Sequence, residues 1–334
     1  FWRYEQVQQG RFREFYQTNV DVFGSAEPEA DAEVLAFAAD ALTELGLTGD
    51  DFEFRVSHRD ILGGLVRALA ADPDAVDESA AIRAVDKRAK VEDAEYLGLL
   101  SDAGLDRETA REFDDLIAGV ETVEDLDAVA DAGGADVEAA VANLRDVLAA
   151  ADDFGAAEFC EVSLTTARGL DYYTGVVFEC FDSTGEVSRS VFGGGRYDDL
   201  IESFGGQPTP AVGVAPGHET LALLCQRAGV WPEVALTTDY FVLTVGDTRS
   251  EAAAIARDLR ELGHVVETDV ADRSFGAQMG YADSINAETG VIVGEQDLAN
   301  DEVTIKDMAS GDQTTVPVDE FPPEEGRPTY EDYE

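Results

Sequence analysis

Apolar and polar positions change period several times along the chain, and each change marks an element. Residues 1–24 read as a β-hairpin, with one arm over Phe1–Glu5, a mostly polar loop over Gln6–Gly10 and a long second arm from Phe12 to Phe23. At period two, Gln17, Asn19 and Asp21 fall on one face of that arm, together with Phe15 and Phe23. A polar row on a strand is ordinarily a solvent face; one bracketed by aromatics suits a pocket floor. Over 29–46 the spacing of Val34, Phe37, Ala38, Ala41, Leu42 and Leu45 predicts a helix that stops at Gly46. Phe52–Ser57 reads as a further strand.

From about 60 to 150 the period is helical throughout. One apolar stripe is Phe113, Leu116, Ile117 and Val120; another is Val137, Val141, Leu144 and Leu148. The stretch is rich in Ala and Asp, shows no site chemistry, and reads as a helical insertion between two halves of a sheet domain. Strands are predicted again at Glu158–Leu164, Tyr172–Phe181 and Ala211–Gly217, followed by a helix over 218–228. Trp231-Pro232 opens a linker. Beyond it, Tyr240–Val245, Ser250–Glu261, Val265–Thr268, Phe275–Ile285, Val291–Val293 and Val303–Ile305 alternate strand and helix, as in a small α/β domain with a largely parallel sheet. Prolines and acids over 320–334 suggest a loose tail.

Composition adds a constraint on environment. The 334 residues are 45% hydrophobic, as in a globular chain, yet 23 Lys+Arg against 71 Asp+Glu give a net charge of −48. The acids are spread along the whole chain. Self-repulsion on this scale opposes compactness in dilute salt, and molar salt screens it by shrinking the Debye length to about 3 Å. The charge is therefore expected to reflect a halophile cytoplasm. Cys160, Cys180 and Cys225 form no C-x-x-C pair, and His58, His218 and His264 are isolated. That pattern opposes a disulfide framework and a zinc site, leaves the histidines structural roles, and identifies no metal ligands among the side chains. No apolar run reaches the roughly 20 residues of a membrane span, so no membrane partner is expected.

The chemistry is concentrated in Ala167-Arg168-Gly169-Leu170-Asp171-Tyr172-Tyr173-Thr174-Gly175. Arg168 is a permanent cation whose fork suits carboxylates and phosphates, and the paired tyrosines offer flat walls and hydroxyls for a small polar ring. Taken alone, these residues also fit an edge strand with a surface Arg and two core tyrosines. Phe192-Gly193-Gly194-Gly195-Arg196-Tyr197-Asp198-Asp199 follows, with glycines that permit close backbone approach to a ligand, or simply a tight turn. There is no G-K-[ST] after it, and Gly246-Asp247-Thr248-Arg249 is not G-x-G-x-x-G, so neither a P-loop nor a dinucleotide site is predicted.

In order and spacing, these segments resemble the histidyl-tRNA synthetase family over nearly the whole chain. Phe1-Trp2-Arg3-Tyr4-Glu5 with Gly10-Arg11-Phe12-Arg13-Glu14-Phe15-Tyr16-Gln17 is similar to the family's class II motif 2, and Ala167–Gly175 and Phe192–Asp199 to its two histidine motifs. Val303-Thr304-Ile305-Lys306-Asp307 falls where its anticodon-binding domain ends. The resemblance implies an α+β fold: an antiparallel catalytic sheet over 1–60 and 153–229, interrupted by a helical insertion over 61–152. An α/β anticodon-binding domain over 238–320 and an acidic tail over 321–334 follow. It implies that ATP, with Mg²⁺, activates histidine to histidyl-adenylate, and that histidine then passes to the 3′ end of tRNA(His). It further implies a cytoplasmic homodimer.

Carried onto this chain, the resemblance makes Arg3 and Arg168 the cations on the α-phosphate, with Arg11 and Gly217 also on the ATP side. Gln17 is expected beside the histidine amino and carboxylate groups, Asp21 and Tyr173 against the imidazole, Tyr172 lining that pocket, Arg168 bordering the histidine as well as the phosphate, and Gln8 and Gln9 near the tRNA acceptor end. There are three departures. Asp21 stands where the family usually has Glu, which makes a water-mediated imidazole contact the expectation. Thr220 stands where motif 3 usually has an ATP-contacting Arg. Motif 1 and the first histidine loop are missing ahead of Phe1, so the chain is expected to lack an upstream piece. A second reading is a synthetase-like histidine-binding regulatory subunit of ATP phosphoribosyltransferase, which Thr220 favours and the intact Arg3, Arg168 and tyrosine pair oppose.

Overall fold

The structure is a computed structural model that describes residues 1–4, 6–7, 10, 12–232 and 238–321. It forms two compact units, Phe1–Trp231 and Pro232–Glu334.

In chain order the first unit contains β1 (Val20–Phe23), α1 (Pro28–Glu44), β2 (Phe52–His58), α2 (Arg59–Leu69), α3 (Glu78–Lys87), α4 (Asp93–Asp102), α5 (Arg107–Ala118), α6 (Leu126–Gly133) and α7 (Ala135–Asp153). It continues with β3 (Cys160–Val162), β4 (Val176–Asp182), β5 (Phe192–Arg196), α8 (Leu200–Ser203), β6 (Ala211–Val214) and α9 (His218–Ala228). Six strands make one sheet in the order β1-β6-β5-β4-β2-β3, antiparallel at every pairing except β2 with β3. Registered pairs put Phe54, Val56, Phe178, Cys180, Phe192, Val212 and Val214 on one face. All are buried, and they share one apolar core with α1 and the helices between β2 and β3. The helical stretch is thus packed into the same core as the sheet.

The other face follows the odd register. Asp21, Gly213, Gly195 and Val177 lie across it in one row, and Glu179 sits beside Gly193 in the next. Gly193, Gly195 and Gly213 leave the middle of this face low, so chain from elsewhere can lie on it.

Three first-unit expectations are corrected. The hairpin arms do meet, with Trp2 opposite Glu14, but the second arm is not one long strand: Gln17 bridges Gly217, and Val20–Phe23 pairs with β6. Strand β3 is only three residues long, after a 3₁₀ turn over Ala157–Phe159. Tyr172 and Tyr173 precede β4 in a turn. Their aromatic character suits a strand, but buried Arg59 overrides it by donating to the Leu170 carbonyl at 2.9 Å and holding the segment folded over the sheet.

The second unit contains β7 (Thr238–Val245), α10 (Arg249–Glu261), β8 (Val266–Thr268), α11 (Phe275–Ser284), β9 (Ala287–Gly294), α12 (Glu295–Leu298), β10 (Glu302–Asp307) and β11 (Gln313–Pro317). The sheet order is β11-β10-β9-β7-β8. The β7 pairings with β8 and β9 are parallel, and those of β10 with β9 and β11 are antiparallel, so the sheet is mixed rather than largely parallel. Sequence reading misses β11 because Gln313-Thr314-Thr315-Val316-Pro317 is a mostly polar edge strand.

Candidate active site

Four predicted residues, Arg3, Gln17, Arg168 and Gly217, line one cavity of about 150 Å³ on the glycine face. They come from three distant parts of the chain. Arg3 is set by the hairpin: its guanidinium stacks 4.1 Å from the Phe15 ring centroid and its Nε donates to the Phe12 carbonyl at 3.2 Å. Gln17 donates to Asn19 Oδ1 at 2.7 Å, which places both on one face as period two requires. Gly217 precedes α9, whose first turn, including Glu219 and Thr220, forms another wall. The amino-terminal end of a helix carries partial positive charge, which favours an anion there.

Arg168 reaches the cavity over β5. Its Nη1 lies 3.2 Å from Glu179 Oε1, which also accepts from Ser190 Oγ at 3.1 Å. Burial pushes the Glu179 carboxyl up, against the pull of Arg168 and Ser190. The bond to Glu179 holds the Arg168 guanidinium in place over the strand. Gly193 lines the cavity, and the glycines also seat a loop. A methyl at Gly193 would overlap the Arg168 guanidinium, and one at Gly195 would press on Tyr173 and the Val176 carbonyl. The glycine strand is bare so that the 167–175 loop can seat on it.

Asp21, Tyr172 and Tyr173 gather beside this cavity rather than within it. Asp21 accepts a hydrogen bond from the Tyr197 hydroxyl, and Tyr197 meets Tyr172 edge to face with centroids 6.1 Å apart. Tyr172 and Tyr173 are 4.5 Å apart, and the Arg168 guanidinium lies 5.8 Å from the Tyr173 centroid. Burial, reinforced at Tyr197 by Asp21, pushes the Tyr173 and Tyr197 hydroxyls up, so both stay protonated donors. Arg11, Gln8 and Gln9 lie outside the described residues. Thr220 is buried, and its hydroxyl is committed to the Val191 and Gly217 carbonyls.

Several participants are absent from the sequence expectations. Glu179 is a charge in the middle of the mostly apolar strand Val176–Asp182, a signal present in the sequence. Tyr197 and Arg189 flank the glycine strand. The helical stretch also contributes, contrary to its reading as chemically silent: Arg83 on α3 donates to Asp171 at 3.0 Å, beside Arg59. His58 is structural, as expected. Its Nδ1 accepts from the Asp60 N–H to cap α2, its Nε2 lies 3.2 Å from Asn143 Oδ1, and burial lowers its pKa to about 4. A larger groove of about 770 Å³ along β3 and α7 contains two arginines, but Arg55 and Arg145 are ion-paired with Glu53 and Asp127. The convergent chemistry is in the smaller cavity.

Known proteins resemble this chain in sequence and fold. The family described as "Histidyl-tRNA synthetase" matches residues 1–221, and "Anticodon binding domain" matches residues 239–324. The chain is 85% identical to a histidine–tRNA ligase of Halorubrum lacusprofundi, covering all of this chain and 76% of that protein. It is 36% identical to the histidine–tRNA ligase of Pyrococcus abyssi, over 95% of this chain and 73% of the relative. A crystal structure of histidyl-tRNA synthetase from a Nostoc species superposes with a TM-score of 0.69 at 26% identity, covering 92% of this chain and 73% of that one. The antiparallel sheet with its polar, glycine-bearing face is the class II aminoacyl-tRNA synthetase fold. Within that class, the chain belongs to the histidyl-tRNA synthetase family.

Proposed function

We propose that the protein is a histidine–tRNA ligase, on the strength of one observation above all: Arg3, Gln17, Arg168 and Gly217 converge on a single cavity from three separate segments. Two permanent cations and a helix amino terminus around so small a space suit a phosphate. A histidine carboxylate oxygen attacks the α-phosphorus of ATP, the bond to the β-phosphate bridging oxygen breaks, and pyrophosphate leaves. Negative charge builds on the α-phosphoryl oxygens in the transition state, where cations held in place beforehand stabilise more than they do in the ground state. Arg3 and Arg168 take this role. Gln17 orients the histidine amino and carboxylate groups, and Asp21, Tyr172 and Tyr173 bound the imidazole. A ribose hydroxyl at the 3′ end of tRNA(His) then attacks the acyl carbon and displaces AMP, with Gln8 and Gln9 toward the acceptor end and Arg11 toward ATP.

Among the described residues no three His, Cys, Asp or Glu side chains form a metal cage. Mg²⁺ would accordingly arrive on the nucleotide phosphates, with the Glu219 carboxylate at the cavity wall; this ion typically keeps phosphate and water ligands. It would neutralise phosphate charge. The family likeness further supports a homodimer acting in the cytoplasm. No helix among the described residues is long and apolar enough to cross a membrane.

The test is ATP–pyrophosphate exchange by the full-length protein in molar KCl. Exchange that requires histidine and is not supported by other amino acids is the expected result. Histidine binding without exchange would instead match a regulatory subunit.

A further inference from the structure

The cavity has a third cation. Arg189 lines it together with Arg3 and Arg168. In a chain with 23 basic residues against 71 acidic ones, three arginines around one small cavity are a concentrated resource. Carboxylates stand among them, Glu179 against Arg168 and Glu219 on the cavity wall, and several cations around one space suit a multiply charged anion.

The segment bearing Arg189 is fixed on both sides. Ahead of it, the Val187 N–H donates to Asp182 at 2.8 Å, and Asp182 is held by Arg227 of α9 at 3.0 Å. After it, Ser190 bonds Glu179, the Val191 N–H donates to the Cys180 carbonyl at 2.8 Å, and Thr220 grips the Val191 carbonyl. The backbone that carries Arg189 is thus in place before a ligand binds. Thr220 faces the same cavity but brings no charge, and its hydroxyl is spent on tethering this segment.

The geometry points to Arg189 as a third contact for the nucleotide phosphates, with Thr220 as the residue that positions it. This rests on the ligase reading above and assigns Arg189 to the nucleotide rather than to the amino acid. Arg3 and Arg168 hold the reacting phosphate; Arg189, beside the first turn of α9, serves the phosphates that depart.

The experiment measures histidine-dependent exchange, and separately equilibrium binding of ATP, in the full-length protein carrying Arg189→Ala, Arg189→Lys or Thr220→Val. Arg189→Ala is expected to raise the KM and Kd for ATP at least ~10-fold, the scale of one lost charged hydrogen bond, with the KM for histidine within about twofold of wild type. Arg189→Lys should recover part of the loss. Thr220→Val should shift the same parameter in the same direction, and combining it with Arg189→Ala should add little. Unchanged ATP affinity in Arg189→Ala, or equal losses for ATP and histidine, overturns the proposal while wild-type exchange leaves the ligase reading standing. Absence of exchange in the wild type would remove the ligase reading itself, whatever the variants bind.

Discussion

The two sheets of this molecule solve different problems. In the second unit both faces are covered: Val242, Val291 and Val293 pack with α10, while Phe241, Leu243 and Ile292 pack with α11. Such strands read as unbroken apolar runs, as in any sheet buried on both sides. In the first unit only one face is apolar. The other carries glycines, Glu179 and Asp21, and is covered by the 167–175 loop. Even its apolar face is interrupted, because Arg196 at the end of β5 reaches Asp31 on α1, with Nε 3.1 Å from both carboxylate oxygens. The contrast teaches that a sheet serving a polar site must secure that site by fixed ion pairs and seats, where a scaffold sheet needs only oil on both sides.

The most severe way to break the contrast is at Arg196. Burial pushes the Asp31 carboxyl up despite its partner, so removing the guanidinium leaves a buried acid uncompensated. Arg196→Ala should cost about 3–5 kcal/mol in urea unfolding of the first unit, and Arg196→Met with Asp31→Leu should recover most of it. Equal destabilisation by the single and double changes would show that the pair matters little to the sheet.

A smaller effect separates site from scaffold. Arg168→Ala in the full-length protein should reduce adenylation at least ~100-fold, the scale of losing one preorganised charge contact, while the urea midpoint stays close to wild type. Histidine binding should weaken far less. Near-normal exchange would remove Arg168 from the chemistry.

The mildest test uses pH. The folded pKa of His58 is about 4, below the ordinary value of 6.5, because burial disfavours the charged ring. The unfolded chain therefore takes up the proton first. Stability from this residue is complete above pH 6.5 and is lost as pH falls toward 4, by up to ~3 kcal/mol. Asp31 and Glu179, with raised carboxyls, act in the opposite sense. The readout is thus the difference between wild type and His58→Asn, which keeps a capping side chain: the variant should lose less stability between pH 6.5 and 4. Parallel curves would mean that His58 does not titrate as its burial dictates.

The same contrast governs what could be read in advance. Phe241-Val242-Leu243 and Val291-Ile292-Val293 announce their strands, since burial on two faces writes an apolar run. Strand β5 does not, because Phe192-Gly193-Gly194-Gly195-Arg196 has almost no side chains to set a period. Arg3, Gln17, Arg168 and Gly217 were legible only through their likeness to a family's motifs. Nothing local in the sequence says that residues so far apart will meet. The Tyr172–Tyr173 turn is not legible locally, because its conformation is decided by Arg59, more than a hundred positions away. Arg189 and Glu179 are hard to read for a related reason: each is one polar residue whose meaning depends on the face it reaches.

The Gly193 seat carries a consequence for how this chain can change over time. A single extra carbon there would overlap both the Arg168 guanidinium and the Phe178 carbonyl of the neighbouring strand, so a side chain at Gly193 must displace the arginine and strain the sheet. The record of the arginine's role is therefore written twice, once as a charge and once as an emptiness.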